Sequence, residues 1–233
     1  MRITKRLYKI TEKVSQGETV ADIGTDHGYV PMLLIRSGIS SHAIMSDISD
    51  GSLSKAKETF RMCGIDADDN CFRLGDGLST IAPGEVDAVI IAGLGGFTII
   101  NILSSDPDKS HSFHKLILQP RKHSGHLRYY LHTNGWDVID EDLAPEGKFV
   151  CEIITAVPAD NTYREPLYPE DDIRWKYPAE MINADPDLAR KRIGWKIGSI
   201  EEQIENLRKS SSDTALRIKE LQDEATYLRS IIE

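Results

Sequence analysis

The chain has 233 residues, 40% of them hydrophobic and 28% charged, with a formal net charge of −9. That length suits one α/β domain plus an appendage around a sizeable core. No apolar run reaches membrane-spanning length, and Met1-Arg2-Ile3-Thr4-Lys5 lacks the apolar stretch of a signal peptide, so a cytoplasmic protein with no membrane attachment is expected.

In chain order, Ile3, Leu7, Ile10 and Val14 recur at helical spacing and predict a helix over residues 2–16 packed on a sheet. Val20-Ala21-Asp22-Ile23 reads as a short buried strand. Gly24-Thr25-Asp26-His27-Gly28 follows, and Pro31 suits the first turn of the next helix. A strand, a glycine turn and a helix N-terminus form a cradle for a nucleotide-like cofactor, although a purely structural α/β turn has the same outline. Strands near 19–24, 42–47, 70–74, 86–92 and 115–119 alternate with helices near 30–37, 51–63, 96–104 and 123–133. Asn134-Gly135 is a turn signal, after which 136–143 and 149–157 read as a hairpin joined through Pro145-Glu146-Gly147-Lys148. Residues 158–183 read as an irregular connector held by Tyr163, Tyr168, Trp175 and Tyr177. From Ile193, the apolar positions Ile197, Ile200, Ile204 and Leu207, then Ile218, Leu221, Ala225 and Leu228, step by three and four as in a coiled coil. Lys209-Ser210-Ser211-Ser212-Asp213 interrupts the seam, which favours an antiparallel hairpin over one continuous dimer-forming helix. The arm either grips a nucleic acid or caps the fold.

In a parallel sheet the loops after these strands share one edge, where such folds bind ligands. Asp47 ends its apolar run at about the distance from Asp22 at which a ribose-binding acid follows a strand–helix–strand unit, and Asp76 in Arg73-Leu74-Gly75-Asp76-Gly77 stands where an adenine ring can lie. Asp26 occupies the place of the second glycine of G-x-G-x-x-G, which argues against a nicotinamide cofactor and for S-adenosylmethionine, which has no pyrophosphate to bind. The cofactor set read from these loops is Asp22, Gly24, Asp26, His27, Asp47, Ile48, Asp76, Gly77 and Gly93. Gly93, Gly95 and Gly96 leave the loop after strand four bare, so cofactor or a flat base can pass close to the backbone; a packing-driven turn explains Gly96 alone.

The chain resembles the TrmK-type tRNA adenine N1-methyltransferases of bacteria. The resemblance rests on Ala21-Asp22-Ile23-Gly24-Thr25-Asp26-His27, Ile91-Ala92-Gly93-Leu94-Gly95-Gly96, Ile117-Leu118-Gln119-Pro120, Asn134-Gly135-Trp136 and Glu146-Gly147-Lys148. It covers roughly the first 157 residues well and the tail loosely; Leu94 replaces an expected methionine and Gly28 an expected small side chain. It implies a class I S-adenosylmethionine-dependent Rossmann-like fold over residues 1–158, with a reversed last strand. It also implies a connector and C-terminal coiled-coil helical domain over 159–233, and methylation of N1 of adenine 22 in tRNA. The alternatives are a methyltransferase acting on another RNA or a small molecule, and a non-catalytic cofactor-binding protein.

Adenine N1 carries an in-plane lone pair, so methyl transfer requires alignment and stabilisation of a developing cation rather than a base. Asp26 and Tyr29, beside the cofactor loop, are the catalytic candidates, for charge and for stacking on the purine; otherwise Asp26 caps the next helix and Tyr29 packs. No Asn/Asp-Pro-Pro-aromatic motif follows strand four, which points to a ring nitrogen rather than an exocyclic amine. For tRNA the overall acidity is adverse, and only local clusters remain. These are Arg2, Lys5, Arg6, Lys9 and Lys13; Lys115, Arg121, Lys122 and Arg128 in an acid-free stretch; and Arg190, Lys191, Arg192 and Lys196. Arg121, Lys122, Arg128 and Arg6 are the candidate RNA contacts. Cys63, Cys71 and Cys151 lack metal spacing and read as reduced thiols. The pairs His111/His114 and His123/His126 lack the companions of a zinc site, so no metal is expected. The partner expected is tRNA, with the chain a monomer or a weak dimer through the coiled coil.

Overall fold

The structure, a computed structural model, describes residues 3–209 and 214–233; Arg2 and most of the 209–213 interruption lie outside the described residues. After α1 (Lys5–Thr11), strands and helices alternate: β1 (Val20–Ile23), α2 (Tyr29–Arg36), β2 (Ala43–Asp47), α3 (Asp50–Met62), β3 (Phe72–Leu74), β4 (Ala88–Leu94) and α4 (Gly96–Ser104). A short α5 (Pro107–Ser110), β5 (Lys115–Pro120) and α6 (Ser124–Thr133) complete the parallel part; β6 (Trp136–Glu146) and β7 (Phe149–Pro158) follow. The remainder is helical: α7 (Ile173–Lys176), α8 (Ala179–Ala184), α9 (Pro186–Arg208) and α10 (Ala215–Ser230).

The seven strands form one sheet in the order β3-β2-β1-β4-β5-β7-β6. β1 to β5 run parallel, and β7 lies antiparallel to both β5 and β6. This is the class I methyltransferase sheet with its reversed strand. Alternation along each strand sends neighbours to opposite faces. Val89 and Ile91 of β4 join Ile99, Leu103, Leu127 and Trp136 on one side. Ala88 and Ile90 join Leu7, Ile10, Val30, Leu34 and Phe60 on the other. Both faces are apolar and covered, so the strand C-termini are left as the open edge.

Element boundaries differ where local polar bonds intervene. The N-terminal helix stops at Thr11, short of the predicted residue 16, and a turn bonding the Val14 N–H to the Thr11 carbonyl leads into the loop. β3 starts at Phe72 because the Asp68 carboxylate accepts from the Asn70 N–H (2.8 Å) and closes a short 3-10 turn over Asp69–Cys71. The β6–β7 hairpin is longer than predicted, since only Gly147 and Lys148 lie between its strands.

The predicted irregular connector contains α7 and α8. Trp175 anchors it: the ring is buried against the edges of Tyr129 and Tyr168, and its indole N–H donates to the carbonyls of Tyr168 and Pro169. Tyr177 is also buried, whereas Tyr163 is exposed to solvent. Helices α9 and α10 bury Ile193, Ile200, Ile204, Leu221, Ala225 and Leu228 in one cluster with Leu143 and Val150 of the hairpin. Ion pairs Lys196–Glu224 (2.9 Å) and Glu201–Arg229 (2.6 Å) join the two helices. The C-terminal helices are thus seated on β6 and β7.

Candidate active site

The strand C-termini open into a cleft of about 560 Å³. Every candidate cofactor residue, Asp22, Gly24, Asp26, His27, Asp47, Ile48, Asp76, Gly77 and Gly93, lines it, as do Tyr29, Arg6 and Arg121. Asp22, at the end of β1, is buried, and the Thr25 hydroxyl donates to its carboxylate at 2.6 Å. Burial pushes this carboxyl up to about 6, against the Thr25 bond and the Arg6 charge, which pull it down; Asp47 adds to the rise. Asp47 ends β2 and accepts the Asp26 N–H (3.2 Å) on one oxygen and the Ser49 N–H (2.9 Å) on the other. Each oxygen keeps a second lone pair for a ligand hydroxyl. Ile48, 73% exposed, offers an apolar surface directly beside it, and Asp76 lies across the cleft with no side-chain helix-cap bond.

The loop after β1 has an unusual backbone at Asp26, whose φ is +47°, a region open to few residues besides glycine, asparagine and aspartate. The helix cap is Gly28 and makes no side-chain bond, so Asp26 does not cap α2. Its carboxylate, 58% exposed, meets Lys55 Nζ at 3.1 Å and His27 Nε2 at 3.7 Å. His27 and Tyr29 stack with centroids 5.0 Å apart and planes 6° from parallel, a flat surface at the cleft wall.

At and just after the end of β4 the three glycines differ. Gly93 is a bulge at φ +80°, and an added Cβ there approaches the Arg121 guanidinium at 3.8 Å. Gly96 is fixed by packing: its N–H donates to the Lys122 carbonyl (2.8 Å), and a Cβ would overlap the His123 carbonyl. At Gly95 a Cβ meets only ordinary contacts, chiefly Lys122 Cε at 3.5 Å. The Arg121 N–H donates to the Leu94 carbonyl (2.8 Å), so backbone bonds tie loop 121–123 to the end of β4.

The opposite wall of the cleft is a polar group built on Arg6, which was expected to contact RNA and is instead engaged by Glu146 and Gln119. Glu146, at the end of β6, accepts from Arg6 Nε (2.9 Å) and the Thr4 hydroxyl (2.8 Å), and Arg6 Nη1 donates to the Gln119 amide oxygen (3.0 Å). Glu146 and Gln119 both stood in the motifs carrying the resemblance, and nothing in their spacing signalled that Arg6 would join them.

Arg128 is corrected as an RNA contact. It is 4% exposed, and its guanidinium binds Glu141 (2.5 Å), Glu152 (2.6 Å) and the Trp175 carbonyl (3.1 Å) inside the protein. Arg192 of α9 also pairs with Glu152 and donates to the Val150 carbonyl (2.9 Å), which pins the C-terminal helices to the hairpin. The N-terminal basic cluster is neutralised in a similar way. Lys9 and Lys13 reach Asp142 at 2.7 and 3.0 Å, and Lys13 also meets Asp140 at 2.7 Å. Arg121 and Lys122 are exposed and make no ion pair among the described residues. Among the described residues no three of His, Cys, Asp or Glu gather as metal ligands, and no helix is long and apolar enough to cross a membrane. Cys63, Cys71 and Cys151 are free thiols.

A cleft at the strand C-termini with two bare glycine approaches, paired acids and an apolar neighbour suits an adenosyl group carrying a cationic tail. A methyltransferase domain family matches residues 3–154. The tRNA (adenine(22)-N(1))-methyltransferase of Bacillus subtilis (strain 168) is 32% identical, the match covering 100% of this chain and 98% of that relative. The crystal structure of the B. subtilis tRNA methyltransferase TrmK is similar at a TM-score of 0.76 and 29% identity, covering 100% of this chain and 99% of that one. The structure of M. capricolum TrmK in complex with S-adenosyl-homocysteine shares the fold at a TM-score of 0.74 and 22% identity, covering 100% and 98%. With that fold, that cleft and a relative matched end to end, the chain belongs to the TrmK family of tRNA (adenine(22)-N(1))-methyltransferases.

Proposed function

We infer that the protein transfers the methyl group of S-adenosylmethionine to N1 of adenine 22 in tRNA. The observation that carries this is the full-length kinship together with a cleft whose residues fit the cofactor. S-adenosylmethionine supplies an electrophilic methyl on a sulfonium. Asp47 holds the ribose hydroxyls, Ile48 lies against the adenine, and Asp76 accepts from its amine; Asp22, half-ionised near pH 6, faces the cationic end.

Adenine N1 attacks the methyl in line; the N1–C bond forms as the C–S bond breaks, and the positive charge passes from sulfur to the adenine ring. No proton has to be removed beforehand, so the residues at the loop after β1 align and neutralise. The His27–Tyr29 stack presents a flat face for the displaced purine, and the Asp26 carboxylate lies beside it to offset the new cation. N1 is hydrogen-bonded within a base pair, so the nucleotide must turn out of its helix to enter the cleft. Arg121 and Lys122 at the rim meet the phosphates, and Arg6 braces the far wall through Glu146.

Residues 1–158 form the catalytic unit in this reading, and 159–233 a connector and helical unit seated on it. The apolar seam of α9 and α10 is buried within one chain, which supports a monomer. With tRNA as its substrate, the enzyme works in the cytoplasm. The test is methylation of an unmodified tRNA transcript with isotopically labelled cofactor, followed by nucleoside mapping by mass spectrometry. Label is expected in 1-methyladenosine at position 22 and absent from a transcript carrying guanosine there. Label in another nucleoside, or none in a protein that binds cofactor, rejects the assignment.

A further inference from the structure

An aromatic patch centred on Phe97 stands next in sequence to Thr98, which lines the cleft, and Phe97 itself belongs to none of the three apolar clusters. Phe97, in the first turn of α4, is 45% exposed. Its ring centroid lies 4.4 Å from that of His123 and 4.8 Å from that of His126, so three rings share one patch. Single exposed apolar side chains are ordinary, and Phe149 and Trp195 are more exposed than Phe97; what sets Phe97 apart is that two imidazole rings gather against it. The patch is also rigid. Gly96 and the Lys122 carbonyl bind backbone to backbone directly beneath it, and His123 is held at φ +59°. His126 is braced from behind by Asp171 at 3.1 Å. Burial, then the Lys122 charge, lowers the His123 pKa.

The charges around the patch indicate what it meets. On the cleft side stand Arg121 and Lys122, both exposed. On the other side His123 and His126 border a second cavity of about 490 Å³ whose walls carry Glu170, Asp171 and Asp223 against the cation Lys176, with Glu224 paired to Lys196. A phosphate backbone is attracted to the first side and repelled from the second. An aromatic face between cations and an acidic wall fits an unpaired nucleobase whose phosphate points toward the cleft.

We propose that Phe97, supported by His123 and His126, is a stacking platform for an unpaired base of the tRNA next to the target adenine, with Lys122 neutralising the phosphate between them. This rests on the tRNA methyltransferase reading above. The platform holds the strand after the target base has turned out, at the point where the acidic cavity ends its path. Phe97 is a substrate-binding residue here and takes no part in the methyl step.

The test compares Phe97→Leu, which keeps apolar volume but has no π face, with Phe97→Tyr, which keeps the face. Steady-state methylation of a tRNA transcript is measured together with cofactor affinity by calorimetry. Phe97→Leu is expected to raise KM for tRNA by about ten-fold or more, the scale of losing one base–aromatic stack. Its cofactor affinity and its salt dependence of tRNA binding should match the wild type, and Phe97→Tyr should restore KM. A Phe97→Leu enzyme with tRNA KM within two-fold of the wild type, or a Phe97→Tyr enzyme as impaired as Phe97→Leu, overturns the platform. A wild-type protein that binds cofactor and leaves tRNA unmethylated instead overturns the reading beneath it.

Discussion

Arg121 and Arg128 belong to one acid-free stretch of sequence, and the fold gives them opposite surroundings. Arg121 stands at the mouth of the cleft with no carboxylate within pairing distance among the described residues, its backbone tied to Leu94. Arg128 has turned into the protein, where two glutamates from β6 and β7 meet it. The rim keeps its charge in water and unpaired, available to a polyanion. The interior pairs its charge with buried glutamates, although Glu141 Oε2 and Arg192 Nε are left without a hydrogen-bond partner among the described residues, and what it holds together is the hairpin, the connector and, through Arg192, the C-terminal helices. A run of basic residues is therefore no measure of positive potential; the acids that the fold brings alongside decide it.

The largest expected effect is on the interior side of this comparison. Arg128→Met leaves Glu141 buried without a cation and Glu152 with Arg192 alone, and loss of one partner from a buried pair costs about 3–5 kcal/mol. Urea unfolding should show the loss as a lower midpoint, and an unchanged midpoint contradicts the structural role. On the cleft side, Asp26→Asn should barely alter stability, since its pair with Lys55 is exposed. Single-turnover methyl transfer should instead slow by about 10²–10³-fold, the range for losing one preorganised electrostatic partner. A wild-type rate leaves Asp26 as a loop residue, and lost cofactor binding makes it a ligand. Asp47→Ala should weaken cofactor binding by about 1–3 kcal/mol in calorimetry, the scale of a hydrogen bond to a charged group. Unchanged affinity in a folded variant removes Asp47 from the ribose.

The parallel strands and the cleft were legible because both rest on local signals. Apolar runs such as Val89–Ile91 end in glycines, and an acid follows each of β1, β2 and β3 at its C-terminal edge or just beyond. The nine cofactor candidates converge for that reason: each lies at a strand end, and the topology gathers strand ends. Arg128 was misread because its partners, Glu141 and Glu152, lie 13 and 24 residues away on a hairpin, and no periodicity in α6 announces them. The Arg6–Glu146–Gln119 wall was invisible on the same ground, with partners 140 and 113 residues apart. Phe97 carried one faint signal, an aromatic directly after Gly95-Gly96, which reads equally well as core. The seam of α9 and α10 was visible as a repeat, but its packing on Leu143 and Val150 was not, since the hairpin supplies the other half of that cluster.

Which charges face RNA is measured most directly by the salt dependence of tRNA binding. Binding constants should be compared over a range of salt for the wild type, Arg121→Gln/Lys122→Gln and a folded Arg128→Met protein. Removing one cation from a phosphate should lower the slope of log K against log salt by about 0.7–0.9 in magnitude. The rim double variant should therefore fall by about twice that, while the Arg128 variant keeps the wild-type slope. A slope unchanged in the double variant, or reduced in the Arg128 variant, would contradict this division between rim and interior.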